Sequence, residues 1–390
     1  MSFLKLRNLW LTHKENKFFI FSFNLLLTGI YFLVSIASLK FATINSSVTP
    51  IWPSTGLAIS ILILFGRRYI WSIFAGALLA NTLTSPVFLN ALTIAGGNSL
   101  EAIFGYLIFE KLKIYKNRFE YLTDLITIGM ASFIAPIISA TVGVCSLRFF
   151  GLISNEIQYQ VWATWWSADV IGALIVIPLL LSFERFEFVK LYLNFKLNFK
   201  KQLFYTLISI IPLVVFYFIV SRTTSLKFLF LFFPLITLIT FCKNKFLMHL
   251  FSLILCAEAL WVTGIGKGPF NISTLNQNLL NLEIFLSAIA ITMLVLASLN
   301  RFRFIGQVRI LLMSGWLFWG GVFYFIQLDR DNVDKSEFKI TTSDLENRMK
   351  EKMRDYFQVL ASGRALFKAS KNVENEEWRA FVNSLNLSMS

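Results

Sequence analysis

Apolar runs long enough to cross a bilayer follow one another along most of this 390-residue chain, and that succession leaves few folds open. They lie near 18–40, 51–66, 69–84, 87–109, 121–147, 162–182, 203–220, 228–242, 246–264, 281–299 and 308–326. Backbone N–H and C=O groups inside lipid have no water to bond to, so each run must close its hydrogen bonds within a helix. The expected fold is all-α, a polytopic helical membrane bundle of about 10–11 transmembrane helices. The second and third runs are short enough to form a tight, re-entrant-like hairpin. No cleavable signal peptide is expected, because the first run is too long and lacks a small-residue cleavage site.

The net charge of +14 raises the question of a nucleic-acid partner, and its distribution answers it. From Gln327 onward 11 basic and 11 acidic residues cancel, so the excess sits in the short loops of the membrane part. With the N-terminus inside, twenty Lys and Arg residues fall in cytoplasmic loops and five outside. That is the positive-inside bias of membrane topology, and nucleic acid is not an expected partner. The lipid bilayer is. The expected location is a bacterial inner membrane, with residues 1–17 as a cytoplasmic tail, 18–300 membrane-embedded, 308–326 the final span and 327–390 periplasmic.

One span is unusual. W-A-T-W-W-S-A-D-V-I-G-A-L-I-V-I-P (Trp162 to Pro178) carries three tryptophans and a carboxylate, Asp169. An ionisable group at mid-span costs roughly 2.5–3.5 kcal/mol on insertion scales and therefore faces a bundle interior or a wet cavity. The fourth run, L-T-I-A-G-G-N-S-L-E-A-I-F-G-Y, places Asn98 and Glu101 three residues apart, on one helical face. Its Gly96, Gly97, Ser99 and Gly105 permit close helix approach. The second run opens T-P-I-W-P-S-T-G, with Pro53 suited to a first helical turn and Trp52 to an interface. Asp169, Glu101, Asn98, Trp165, Trp166, Trp52 and Asn81 are accordingly the candidate ligand-binding residues. A polar pocket for a small cationic or polar ligand and plain interhelical hydrogen bonding both fit them. Glu258 with Trp261 is a weaker third case, and Arg148 reads as a surface charge.

Enzyme signatures are missing from the sequence. The two histidines, His13 and His249, have no Glu or Cys partner at ligand spacing, and no Gly-rich phosphate loop follows a strand. The three cysteines lie in or beside apolar runs. D-R-D-N-V-D (Asp329 to Asp334) lacks the Gly and distal Glu of a calcium loop. No metal, cofactor or catalytic residue is expected.

The segment after Ile326 is different material. Leu345, Met349, Met353, Tyr356, Leu360 and Phe367 recur mostly at three- and four-residue steps, the pattern of an amphipathic helix. A helix from near Asp329 to Ala369 would extend about 60 Å. It reads as a stalk whose apolar seam would suit a homodimer. Sixty-four residues are few for an independent core, so this segment reads as the start of a larger domain.

Taken in order, W-P-S-T-G, G-R-R-Y, A-G-G-N-S-L-E-A and W-W-S-A-D-V-I-G-x-x-x-V-I-P resemble the first type of membrane-associated sensor domain (MASE) over roughly residues 20 to 300. The tail resembles the opening of a CHASE extracytoplasmic sensor domain, through L-A-S-G-R-A-L-F-K-A-S and E-E-W-R-A-F-V. The resemblance implies the input half of a bacterial signalling protein whose output is a histidine kinase or a cyclic-di-GMP enzyme. The chain shows no phosphoacceptor His segment, ATP lid or GGDEF motif, so no catalysis is expected of it. The expected function is a sensory input module that responds to an unknown small ligand or a membrane-protein partner. A secondary transporter or transporter-associated subunit is the alternative.

Overall fold

Helix α1 (Lys17–Leu39) is followed by two short helices, α2 (Pro53–Phe65) and α3 (Ile70–Thr82), and then by α4 (Phe88–Lys111). Next come α5 (Leu122–Ile134), α6 (Pro136–Phe149), α7 (Gln158–Phe183), α8 (Phe199–Arg222), α9 (Phe232–Ile239), α10 (Lys245–Gly264) and α11 (Leu275–Leu299). The computed structural model describes residues 12–13, 15–39, 49–112, 122–183, 199–222, 232–239, 244–270, 275–299, 338–339, 341–369 and 372–384. Among them there is no strand, and the membrane part is an all-α bundle.

Among the described residues, six stretches are long and apolar enough to cross a membrane: α1, α4, Thr123–Phe149, α7, α10 and Asn281–Ser298. The span expected near 308–326 and the D-R-D-N-V-D run lie outside the described residues. The run expected at 121–147 divides into α5 and α6 at Ala135. Pro136 has no N–H to donate, which breaks the hydrogen-bond ladder there.

The centre of the bundle is a short apolar helix, α2. At 13 residues α2 spans about 20 Å, less than the roughly 30 Å hydrocarbon core. Eleven of its residues are buried, and a helix apolar all round belongs in an interior. It packs most extensively against α7, whose residues 168–179 are continuously buried, and also against α4 and α1. Two glycines allow the α2–α7 approach. A Cβ on Gly172 would stand 2.0 Å from the Trp52 carbonyl oxygen, and one on Gly56 would stand 2.6 Å from the Gly172 carbonyl oxygen. The Trp52 N–H donates to the Ala168 carbonyl at 3.0 Å, so α2 begins with its backbone bonded to α7.

G-R-R-Y is the turn that ends α2. Gly66 adopts φ +97°, a left-handed conformation open to glycine at little cost, and Arg67–Tyr69 form a single 3₁₀ turn into α3. Tyr69 is fully buried edge-on to Phe23 and Phe65. Arg67 pairs with Glu110 at the end of α4 and sits 5.3 Å above the Tyr106 ring. Both charged side chains are largely exposed, so the pair contributes little stability.

The C-terminal unit contains α12 (residues 341–369) and α13 (Asn375–Ser384). Along α12, Asp344 bonds Arg348 at 2.9 Å and Glu346 bonds Lys350 at 2.7 Å, both one turn apart. The Lys350 ammonium holds the Glu346 carboxyl below the usual range. Leu345, Met349, Met353, Tyr356 and Leu360 are exposed in the single chain. At the far end Trp378 of α13 packs at a tilt against Phe367, and the Phe381 ring comes near Gly363.

Candidate functional site

Four helices contribute to one polar centre. Asp169 on α7 is completely buried. Its Oδ1 accepts a hydrogen bond from Thr55 Oγ1 of α2 at 2.9 Å, and its Oδ2 accepts one from Ser139 Oγ of α6 at 2.5 Å. Thr55 Oγ1 also lies 3.3 Å from Glu101 Oε2 of α4. A threonine hydroxyl carries one hydrogen, so it can donate to only one of the two carboxyl groups at a time. The two acids are therefore linked through a shared donor.

Satisfaction of this centre is incomplete. Glu101 Oε1 and Asn98 Oδ1 are buried without a hydrogen-bond partner. No Lys, Arg or His among the described residues acts on Asp169 or Glu101; their neighbours are each other and the hydroxyl and indole groups. Beside Asp169 lies a cavity of about 20 Å³, lined by Thr49, Trp52, Asn81, Ile94, Asn98, Trp165, Ala168 and Asp169. A water needs roughly 10–15 Å³ by such a measure, so the cavity holds one particle of that size.

Of the residues singled out from the sequence, Asp169, Asn98, Asn81, Trp52 and Trp165 line this one cavity. Glu101 joins them through Thr55. Asn81 donates its Nδ2 to the Ala77 carbonyl, one turn back on its own helix. Trp166 is elsewhere: its indole N–H donates to the Phe133 carbonyl of α5 at 3.0 Å, and its ring stacks on Trp162. Consecutive residues on a helix point about 100° apart, so Trp165 and Trp166 cannot both face the centre. Arg148 is exposed and bonded to Gln158.

Three contributors carry weaker sequence signals. Thr55 reads as part of a helix start. Ser139 is one of a buried small-residue face on α6 with Pro136, Ala140 and Gly143, and that periodicity is its signal. Tyr31 of α1 is buried with its hydroxyl toward Trp52 and Asn98, and nothing in its neighbourhood in the sequence marks it. A further buried carboxylate, Glu283 of α11, accepts from Ser167 Oγ at 2.6 Å on another face of α7. The larger open cleft, about 610 Å³, lies at the other end of α2 around Arg67, Tyr106 and Glu110, away from the acid pair.

The residues that build the α2–α7 contact and the acid pair lie in three of the four ordered motifs, W-P-S-T-G, A-G-G-N-S-L-E-A and W-W-S-A-D-V-I-G. The family model of MASE1 matches residues 23–303, most of the chain. The chain belongs to the MASE1 family. MASE1 is a membrane sensory domain of signalling receptors, not a catalytic one. No curated protein and no solved structure matches the chain. Within this MASE1 domain the motif glycines have a geometric role: Gly56 of W-P-S-T-G and Gly172 of W-W-S-A-D-V-I-G meet at the helix crossing that holds Asp169 against Thr55.

Proposed function

We propose that this MASE1 domain is the input module of a bacterial inner-membrane receptor, and that the Asp169–Thr55–Glu101 centre is its sensing element. The observation that carries this reading is an acid pair, buried at the meeting of α2, α4, α6 and α7, with acceptor atoms left unpartnered. A group satisfied on every side would only hold helices together. This one gains by taking up a partner, and four helices must adjust when it does. A stimulus shifts such a bundle only if it interacts differently with two arrangements. The α2–α7 crossing, where backbones touch through glycine, is the contact that would change.

In this reading the N-terminus is cytoplasmic, and α12 and α13 belong to the opening of a periplasmic CHASE domain. The output is a histidine kinase or a cyclic-di-GMP enzyme on the cytoplasmic side.

The test is Asp169→Asn at the chromosomal locus. Asn keeps the size and can still accept from Thr55 or Ser139, so membrane abundance should stay within about twofold of wild type, a change worth roughly 0.4 kcal/mol. Transcript profiles of the mutant should match those of a strain deleted for the locus. Wild-type profiles at wild-type abundance would overturn the sensing role. Loss of the protein from the membrane would show Asp169 to be structural.

A further inference from the structure

We infer that the Asp169 cavity is a binding site for one monovalent metal cation of the sodium class. This deepens the sensing reading above and rests on it only for the consequence of binding. The size comes first. About 20 Å³ admits one water-sized particle and excludes an organic solute. The chemistry of the lining comes second. What surrounds the cavity is rich in oxygen acceptors: Asp169 presents its carboxylate, and Asn98, a residue 97% buried, has its Oδ1 without a donor. Glu101, with its own unpartnered Oε1, is one hydroxyl away.

An occupant that supplies positive charge on all sides suits such a shell better than a water, which brings only two hydrogens. Oxygen donors of this kind select hard cations. Calcium takes 6–8 oxygens and magnesium keeps several waters, whereas this cavity has room for a single particle and one carboxylate in its lining. A bare monovalent ion fits both limits. The titratable groups facing the centre are Tyr31 from α1, Glu101 from α4 and Asp169 from α7. None of the three brings a fixed positive charge that would compete with the ion.

Trp52 and Trp165 line the cavity and report on it directly. The experiment is a titration of the purified full chain in lipid nanodiscs with NaCl, balanced by choline chloride at constant ionic strength and pH. Tryptophan emission is followed throughout. A saturable change with sodium and none with choline is the expected result. Asp169→Asn should weaken the apparent sodium affinity at least tenfold. Asn98→Ala provides the same comparison should the first variant fail to fold. Identical curves in sodium and choline, or a signal that follows pH alone, would overturn the cation site. So would a sodium response unchanged in both variants. If sodium has no effect while Asp169→Asn still matches the locus deletion, the sensing reading stands and the cation inference alone fails.

Discussion

Gly172→Ala is expected to disrupt the bundle more than any other single-methyl change. The added Cβ would lie 2.0 Å from the Trp52 carbonyl oxygen and 2.5 Å from its carbonyl carbon. Both are backbone atoms, and Trp52 is bonded through its N–H to Ala168 on the same helix as Gly172. A flexible side chain can swing away from an intruding methyl, but a backbone pinned at its neighbour cannot. Overpacking usually costs about 1–3 kcal/mol, and the loss here should reach or exceed the upper end. Thermal unfolding in detergent, followed by loss of monodispersity, would register it. Gly96→Ala is the control, since nothing lies within 4 Å of a Cβ placed there. Equal stability of Gly172→Ala and wild type would mean that α2 and α7 do not cross as described.

Thr55→Val should be the second most damaging change, for an electrostatic reason. Valine preserves the shape and removes the hydroxyl that donates to the acid pair. Asp169 then loses its Oδ1 donor while Ser139 still donates to Oδ2, and Glu101 Oε2 loses its contact with the Thr55 hydroxyl. A buried acceptor left without a donor costs about 1–3 kcal/mol, more when charged, so a loss of about 3 kcal/mol is expected. Ordinary interhelical hydrogen bonds in membranes average only about 0.6 kcal/mol, which gives the measurement a clear comparison. Thr55→Ser, with its hydroxyl retained, should stay within about 1 kcal/mol of wild type. A Thr55→Val loss near 0.6 kcal/mol would make Thr55 a routine contact.

Most of the architecture is written in the composition of single runs, because lipid forces each apolar run into a helix whatever its neighbours are. The pairing of Asn98 with Glu101 is equally local, a matter of helical spacing. What spacing along one run does not contain is which face of another helix it meets. Trp165 and Trp166 look alike in the sequence, yet one lines the cavity and the other bonds the Phe133 carbonyl, a distinction set by the rotation of α7 against α2. Ser139 and Tyr31 are common residues in apolar runs, and only the crossing of α6 and α1 with the centre gives them their place. G-R-R-Y shows the reverse: its ordinary reading as a turn is what the chain adopts, with Gly66 supplying the left-handed residue.

We propose that the two acids act as one unit through Thr55. The measurement that tests it most directly compares Asp169→Asn, Glu101→Gln and the double variant at the chromosomal locus, each with its membrane abundance verified. A linked pair predicts that all three give the deletion profile to the same degree, the double adding nothing to either single. A wild-type profile in Glu101→Gln, or a double variant whose defect is the sum of two partial ones, would show two independent carboxylates and contradict the account.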